Sequence, residues 1–291
     1  MNNSEIKKIT LKGHSSFYIR EGWLAKGLEI DDVTVFRDSQ KGTEVLGVGT
    51  AMVKAIRYYL TAANLKNNLT MMNEKFGELV RKYDPYFELN TTKFLVHYNL
   101  VCNENKATSW YLFFNHSEFE GMTKEEISSS LDLLLQEMKP NTSFSRKSLD
   151  DDVSCILNSY VTKSFTHQIT PEDNYRCPLA DLKLLDVDSN HRIVKSEPNY
   201  ETLDMLVVLY VIVNASEKVE NQEFIYQTSV DKLLNSPKNI GKVFNLSRTQ
   251  IYKYLEALQD ADYLTIHKTA GLDQIYIRKN ITLDEVLSID Q

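Results

Sequence analysis

Lys238-Asn239-Ile240-Gly241-Lys242-Val243-Phe244-Asn245-Leu246-Ser247-Arg248-Thr249-Gln250-Ile251-Tyr252-Lys253-Tyr254-Leu255-Glu256-Ala257-Leu258 reads as a short helix, a tight turn and a second helix. Ser247 suits an N-cap, and Gln250 three places later completes the spacing of a capping box. Ile251, Leu255 and Leu258 recur at i, i+4 and i+7, the spacing of one buried helical stripe. Thr249, Gln250 and Lys253 remain on the other face, close to the helix start. Downstream, Tyr263 to Lys268 reads as a strand, Thr269-Ala270-Gly271-Leu272-Asp273 as a turn, and Gln274 to Arg278 as a returning strand. A helix-turn-helix followed by a hairpin predicts a winged helix-turn-helix. Its second helix can enter a DNA major groove while the hairpin touches the adjacent backbone. The same fold also packs against protein alone, so the motif specifies architecture more firmly than function.

Working outward, Tyr200 opens the last domain, with a first helix over 203–213, a short strand near Phe224-Ile225-Tyr226 and a helix over 230–234. The acidic segment 281–291 reads as a tail with a final helix. Between Ser236 and Lys279 seven basic residues face four acidic ones, a local surplus of three positive charges. The whole chain of 291 residues carries a formal charge of -7, so its acidic surplus lies elsewhere. That balance excludes a protein coating nucleic acid over its entire surface, and it leaves room for local basic patches.

Near the other end, Gly42 to Leu65 repeats the helix-turn-helix pattern. Thr43 to Leu46 closes a short helix, Gly47-Val48-Gly49 supplies the turn, and Thr50 caps a second helix over 51–63. Lys54 and Arg57 project from that helix, Lys66 lies just beyond, and no acid occurs from Gly49 to Leu65. Gly47-x-Gly49 lacks the further glycine and the Lys-Ser/Thr of a nucleotide loop. Ahead of it, Ile9 to Arg20 looks extended with a turn at Gly13, and Glu21 to Gly27 forms a short helical turn ending at glycine. His14 fits a structural or solvated role better than an acid–base one.

The middle, 81–197, is helical and rich in aromatic residues. Thr91 to Leu100 forms a helix, Trp110 to Asn115 is core, and Thr123 caps a helix running to Met138. Asp150-Asp151-Asp152 reads as the negative start of a helix. The expected fold is therefore mainly α with small β-wings, an α+β protein. Two winged helix-turn-helix units, 1–80 and 198–291, flank a helical domain over 81–197.

Three widely spaced cysteines, Cys102, Cys155 and Cys177, show no Cys-x-x-Cys and suit a reduced cytoplasmic setting with no zinc framework. The N-terminus has no signal-peptide core, and the longest apolar run, Met205 to Val213, is too short for a membrane span. No cofactor, metal or catalytic residue is expected.

Several strings together resemble a bacterial domain-of-unknown-function family. They are Gly13-His14-Ser15-Ser16-Phe17 with Arg20, Gly22-Trp23-Leu24 and Lys26-Gly27; Leu46-Gly47-Val48-Gly49 with Met52-Val53 and Ile56-Arg57-Tyr58; Asp84-Pro85-Tyr86; and His97-Tyr98. Ser236-Pro237, Gly241 to Phe244 and Thr269 to Leu272 extend the resemblance to the C-terminal domain. Members are often encoded beside phosphoadenosine-phosphosulfate-reductase-like genes in DNA-modification and anti-phage islands. The resemblance implies such a setting, with a reductase-like or other defence protein as neighbour and partner, and it supplies no catalytic residues to transfer.

These readings converge on a DNA-binding accessory protein whose partner is double-stranded DNA. Arg248, Thr249, Gln250 and Lys253 would meet base edges, since Arg suits guanine and Gln suits adenine. Lys242, Lys268 and Arg278, with Lys54 and Arg57 from the first unit, would hold phosphates. Three alternatives stand beside it: a transcriptional regulator acting as a homodimer; a metal-dependent nuclease built on Asp84, Glu88 and Asp150 to Asp152; and a scaffold binding protein through acidic segments around Asp150 and Asp284-Glu285.

Overall fold

The computed structural model describes residues 6–161, 176–219, 223–269 and 272–290. The chain divides into two compact units, Met1–Ser196 and Glu197–Gln291. The first spans the stretch expected to hold an N-terminal and a middle domain. Over both units, helices joined by turns and two small antiparallel sheets make the chain an α+β protein.

In the first unit α1 covers Trp23–Leu28, α2 Ser39–Leu46 and α3 Thr50–Ala62. Asp38 caps α2 by accepting from the amides of Gln40 and Lys41. Gly47 ends α2 at φ 68°, a left-handed geometry that a glycine adopts without steric cost. The expected cap at Thr50 lies one residue too late: Gly49 is the N-cap, Thr50 begins α3, and no side chain caps it. Nor does Gly27 end α1. It sits inside the helix because a Cβ there would come within 2.6 Å of Leu60 and 2.9 Å of Ile56, so the missing side chain lets α1 lie on α3.

The hairpin expected of a winged unit has no counterpart here among the described residues up to Tyr83, where pairing is limited to the isolated bridge Lys66–Asn73. Ile9 to Arg20, read as extended, forms turns and irregular backbone pinned by side chains.

Next come α4 (Lys75–Tyr83), α5 (Asn90–Cys102), α6 (Thr108–Asn115), α7 (Lys124–Met138) and α8 (Arg146–Tyr160). Every side chain of α6 is buried, so the aromatic run Trp110 to Phe114 is core as its composition predicts. Thr123 and Glu126 cap α7 with a full capping box. Asp150 to Asp152 do not begin α8. Ser145 caps the helix at the Ser148 amide, which places the three aspartates a full turn inside. The strands β1 (Leu185–Val187) and β2 (Ile193–Lys195) pair antiparallel. Lys195 Nζ donates to the carbonyls of Phe113, Phe114 and Ser117 at 2.8, 3.3 and 2.7 Å, closing the end of α6 with a cation, as the helix dipole favours.

The second unit opens with α9 (Met205–Ala215), capped by Asp204. Strands β3 (Glu217–Lys218) and β4 (Tyr226–Ser229) lead into α10 (Val230–Asn235), α11 (Ile240–Val243) and α12 (Arg248–Asp260). Strands β5 (Leu264–Thr269) and β6 (Leu272–Ile277) follow, then α13 (Leu283–Leu287), which has its own capping box at Thr282 and Glu285. The sheet order is β3-β4-β6-β5, all neighbours antiparallel. The connection through Ala270 and Gly271 lies outside the described residues. The core joins Val208 and Ile212 of α9, Val243 of α11, Ile251, Leu255 and Leu258 of α12, and Ile275 and Ile277 of β6. Among the described residues no helix is long and apolar enough to cross a membrane.

Candidate nucleic-acid interface

The turn between α11 and α12 depends on a close approach. A Cβ at Gly241 would lie 2.3 Å from the Leu234 carbonyl oxygen, so only glycine lets α11 fold tightly against the end of α10. Ser247 Oγ then accepts from the Gln250 amide at 3.3 Å, as expected of the N-cap. The reciprocal half of the expected box is absent. The Ser247 amide donates at 2.8 Å to Glu197 Oε1, so a carboxylate fifty positions upstream takes the role assigned to Gln250.

On α12, Ile251, Leu255 and Leu258 are buried as their spacing predicts, and Tyr254 joins them. The Tyr254 hydroxyl donates to the Leu203 carbonyl at 3.0 Å, and burial holds its ionisation well above the ordinary tyrosine value. Arg248, Thr249 and Lys253 are exposed on the outer face. Lys253 Nζ lies 3.6 Å from the centre of the Tyr200 ring, a cation–π contact that steadies the ammonium without neutralising it. Gln250 is half-buried, and its Oε1 is shielded from solvent with no hydrogen-bond partner among the described residues. Its side-chain carbonyl oxygen is therefore turned away from solvent.

Tyr252 ties the helix to the hairpin. Its hydroxyl donates to Asp273 Oδ2 on β6, which raises the tyrosine's pKa, while a hydrogen bond from Arg248 opposes that rise. Lys268 Nζ on β5 stands 5.8 Å from the Tyr252 ring centre. Register places Lys268 opposite Asp273, near the closed end of the hairpin. Arg248, Lys253 and Lys268 thus gather on or beside one helix face. Arg278 does not join them. It follows β6 at the far end of the ladder, where its guanidinium pairs with Asp262 at 2.9 Å and Glu223 at 3.2 Å. Lys242 is half-exposed on α11.

The first unit holds Lys54, exposed on α3, and Arg57, whose guanidinium lies 3.4 Å from the carbonyls of both Phe36 and Asn68. Arg57 thus closes a loop against α3.

The carboxylates weighed for a metal have other work. Asp84 accepts from the amides of Glu88 and Leu89 ahead of α5, at 2.9 and 3.0 Å. Asp150 pairs with Arg146 at 3.1 Å, and Asp151 with Lys12 at 2.6 Å. Asp152 is buried, accepting from the Lys12 amide and His14 Nε2 at 2.7 Å each and from Ser109 Oγ at 2.5 Å. Cys155 Sγ approaches His14 Nδ1 at 3.2 Å, and burial pushes the thiol's pKa up. This line of thiol, imidazole and carboxylate is closed to solvent, with His14 0% exposed and Asp152 and Cys155 each 2%. His14 is a structural histidine: it knots the opening turn to α6 and α8. Sequence alone offers no sign of that knot, because its partners lie more than a hundred residues away. Among the described residues no cluster of three or more His, Cys, Asp or Glu is placed to hold a metal ion.

The fold defines an α+β protein, with a largely helical first unit and a second unit in which short helices accompany a four-stranded antiparallel sheet. The chain belongs to the DUF4007 family, described as "Protein of unknown function", whose model matches residues 11–290. No curated protein matches it. Two solved structures share its fold. An SspB crystal structure superposes with a TM-score of 0.77 at 20% identity, covering 94% of this chain and 84% of that one. A magnesium ion-bound SspB crystal structure gives 0.76 at 20% identity, with 92% and 83% covered.

Proposed function

We propose that this protein is a cytoplasmic DNA-binding accessory factor of a bacterial DNA sulfur-modification or anti-phage system. In this reading the second unit is a winged helix-turn-helix with α12 in the major groove and the β5–β6 hairpin on the backbone. The observation that carries it is the outer face of α12: Arg248, Thr249 and Lys253 exposed beside Lys268, on a helix whose position the Tyr252–Asp273 bond fixes against the hairpin. Arg248 and Thr249 read base edges; Lys253, Lys268 and Lys242 hold phosphates. Lys54 on α3 is a second, weaker phosphate contact. Arg57 and Arg278 are left out of the interface, because Arg57 holds two loop carbonyls and Arg278 pairs with two carboxylates at the end of the ladder away from Lys268. The sulfur-modification setting and a reductase-like partner rest on the family resemblance of the sequence strings.

Fluorescence anisotropy with random and phosphorothioate-containing duplexes, titrated with salt, tests this. Each phosphate contact contributes about -0.9 to the slope of log affinity against log salt. Tighter binding of the sulfur-containing duplex makes the protein a reader of that mark. Absence of binding at low salt and micromolar protein would move the reading to a protein-binding scaffold. One SspB structure is magnesium-bound, whereas the carboxylates of Asp84 and Asp150 to Asp152 serve other bonds in this chain. Incubating plasmid with the protein and magnesium or manganese is therefore the companion assay, and strand breakage there would replace the accessory role with an enzymatic one.

A further inference from the structure

The opening segment of the first unit and the turn between α7 and α8 enclose a cavity of about 430 Å³. That volume lies within the span of about 300–1,000 Å³ usual for ligand sites. Lys7 and Lys8 from the first and Lys139 from the second line it, and no carboxylate does. The lining therefore carries three positive charges with nothing to offset them. Among the described residues none of these ammoniums pairs with an acid. The next acids along α8, Asp150 and Asp151, are taken by Arg146 and Lys12. Glu137, exposed on α7, stays outside the lining. A cavity beside Tyr86 in the same unit makes the contrast. There Arg20, Lys93 and Arg176 are matched by Glu21, Glu88 and Asp181, and Lys93 and Arg176 both pair with Asp181, so no charge is left to select an anion.

The backbone under Lys7 and Lys8 is fixed, while their side chains are exposed. Asn105 Oδ1 accepts from both of their amides, at 3.0 and 3.1 Å, and Thr10 bonds Thr108 and the Asn105 carbonyl just beyond. In the second segment the Ser145 hydroxyl accepts from the Ser148 amide, which leaves its own proton to donate. The hydroxyls of Thr142, Ser143 and Ser148 line the same cavity, and none of them donates within the described residues. Phe144, half-exposed, adds an aromatic ring to these donors.

We propose that this cavity holds a short stretch of single-stranded nucleic acid. The three ammoniums and the hydroxyls donate to its phosphodiester oxygens, the ammonium bonds being the stronger because they are charge-assisted. Phe144 stacks on an unpaired base, a contact open to any base because each has a π-face. The ring decides among carriers of phosphate: inorganic phosphates have no face to offer it, and a duplex keeps its bases inside the stack. The site lies wholly in the first unit and rests on no part of the duplex reading of α12.

Anisotropy of the full chain with a fluorescent thymidine hexanucleotide, titrated with salt, tests it. The hexamer should bind with a Kd below about 100 μM at about 50 mM salt. Three phosphate contacts should give a slope of about -2 in log affinity against log salt, since each on a single strand contributes about -0.7. Lys7→Ala combined with Lys8→Ala leaves the Asn105 anchors in place, and should flatten that slope by about 1.4 with an unchanged circular dichroism spectrum. Phe144→Ala should weaken the hexamer about tenfold without altering the slope, and an abasic hexamer gives the same readout from the ligand side. Arg248→Ala, placed on the duplex face, should leave hexamer binding as it is, so either reading can fail without the other. No binding at about 200 μM protein, affinity indifferent to the lysine pair, or an abasic hexamer or tripolyphosphate binding as tightly as the hexamer would each overturn the proposal. A hairpin duplex losing as much affinity as the hexamer on removal of Lys7 and Lys8 would overturn it too, by assigning the charge to duplex phosphates.

Discussion

Tyr252 shows how much a single side chain can organise: it meets Asp273, Arg248 and Lys268 from one position on α12. On the proposed DNA face, each charge has a distinct expected effect. Lys268→Ala should weaken all duplexes alike and lower the salt slope by about one, because a phosphate contact carries no sequence information. Arg248→Ala should instead blunt discrimination between sequences, by about 1–3 kcal/mol at the base pair it reads, measured by competition between duplexes. Gln250→Ala should change either property less than Arg248→Ala does, since its Oε1 is turned from solvent. The buried knot makes a different prediction. Asp152→Ala strands His14, the Ser109 hydroxyl and the Lys12 amide, and should cost about 3–5 kcal/mol of stability by denaturant unfolding. Neither Asp152 nor Glu197 shows its task in the sequence. Asp152 sits in an acidic triplet that looks like a helix start, and Glu197 lies fifty residues from the amide it accepts. Hydrogen bonds between distant segments leave no periodic trace.

Helices and their ends were far more legible, because caps and stripes are local. Ser247, Thr123 and the spacing of Ile251, Leu255 and Leu258 all do in the structure what their positions predict. Where boundaries moved, a stronger local competitor explains it: Ser145 caps α8 ahead of the aspartates, and Gly49 opens α3 ahead of Thr50. Tyr254 escaped the stripe because tyrosine is as much at home on a surface as in a core; the carbonyl of Leu203 decides the matter. The turn ahead of α12 supports a prediction of its own. Gly241→Ala places a methyl 2.3 Å from a backbone oxygen that cannot swing aside, so α11 must shift. The expected cost is about 1–3 kcal/mol, read as a lowered denaturation midpoint, with DNA affinity falling alongside it.

At the scale of the whole molecule, carboxylates and thiols set opposite limits on stability. Asp32, held by Lys41 and Thr34, is lowered to about 2, and hydrogen bonds likewise lower Asp31, Asp151, Glu126, Asp262 and Glu285. The unfolded chain binds protons on these groups more readily than the folded one. Their contribution is thus complete above the ordinary carboxylate range and is lost as pH falls towards about 2. Burial raises Cys177 to about 12, so its contribution is present below the ordinary thiol value of 9.0 and disappears as pH rises through about 12. Thermal melts across the pH range should show a plateau between an acid and an alkaline fall; a midpoint still rising below pH 3 would contradict the acid limb. Composition and the helix-turn-helix strings foretold an α+β chain, yet the cavity beside Tyr86 could not be foreseen. It is lined by Arg20, Tyr86, Lys93 and Pro178, which come from segments that no local sequence pattern brings together.

The Tyr252–Asp273 bond also bears on timing. Pairing with β4 stops at Gln274, so without this bond the end of the hairpin beyond it would sample many tilts, and any ligand gripping it together with α12 would have to select one. With the phenol and carboxylate joined, that angular freedom is surrendered when the chain folds, and arrival of a duplex has none of it left to remove. Severing the joint with Tyr252→Phe should consequently slow association more than it hastens release, a signature that loss of a simple contact would not produce.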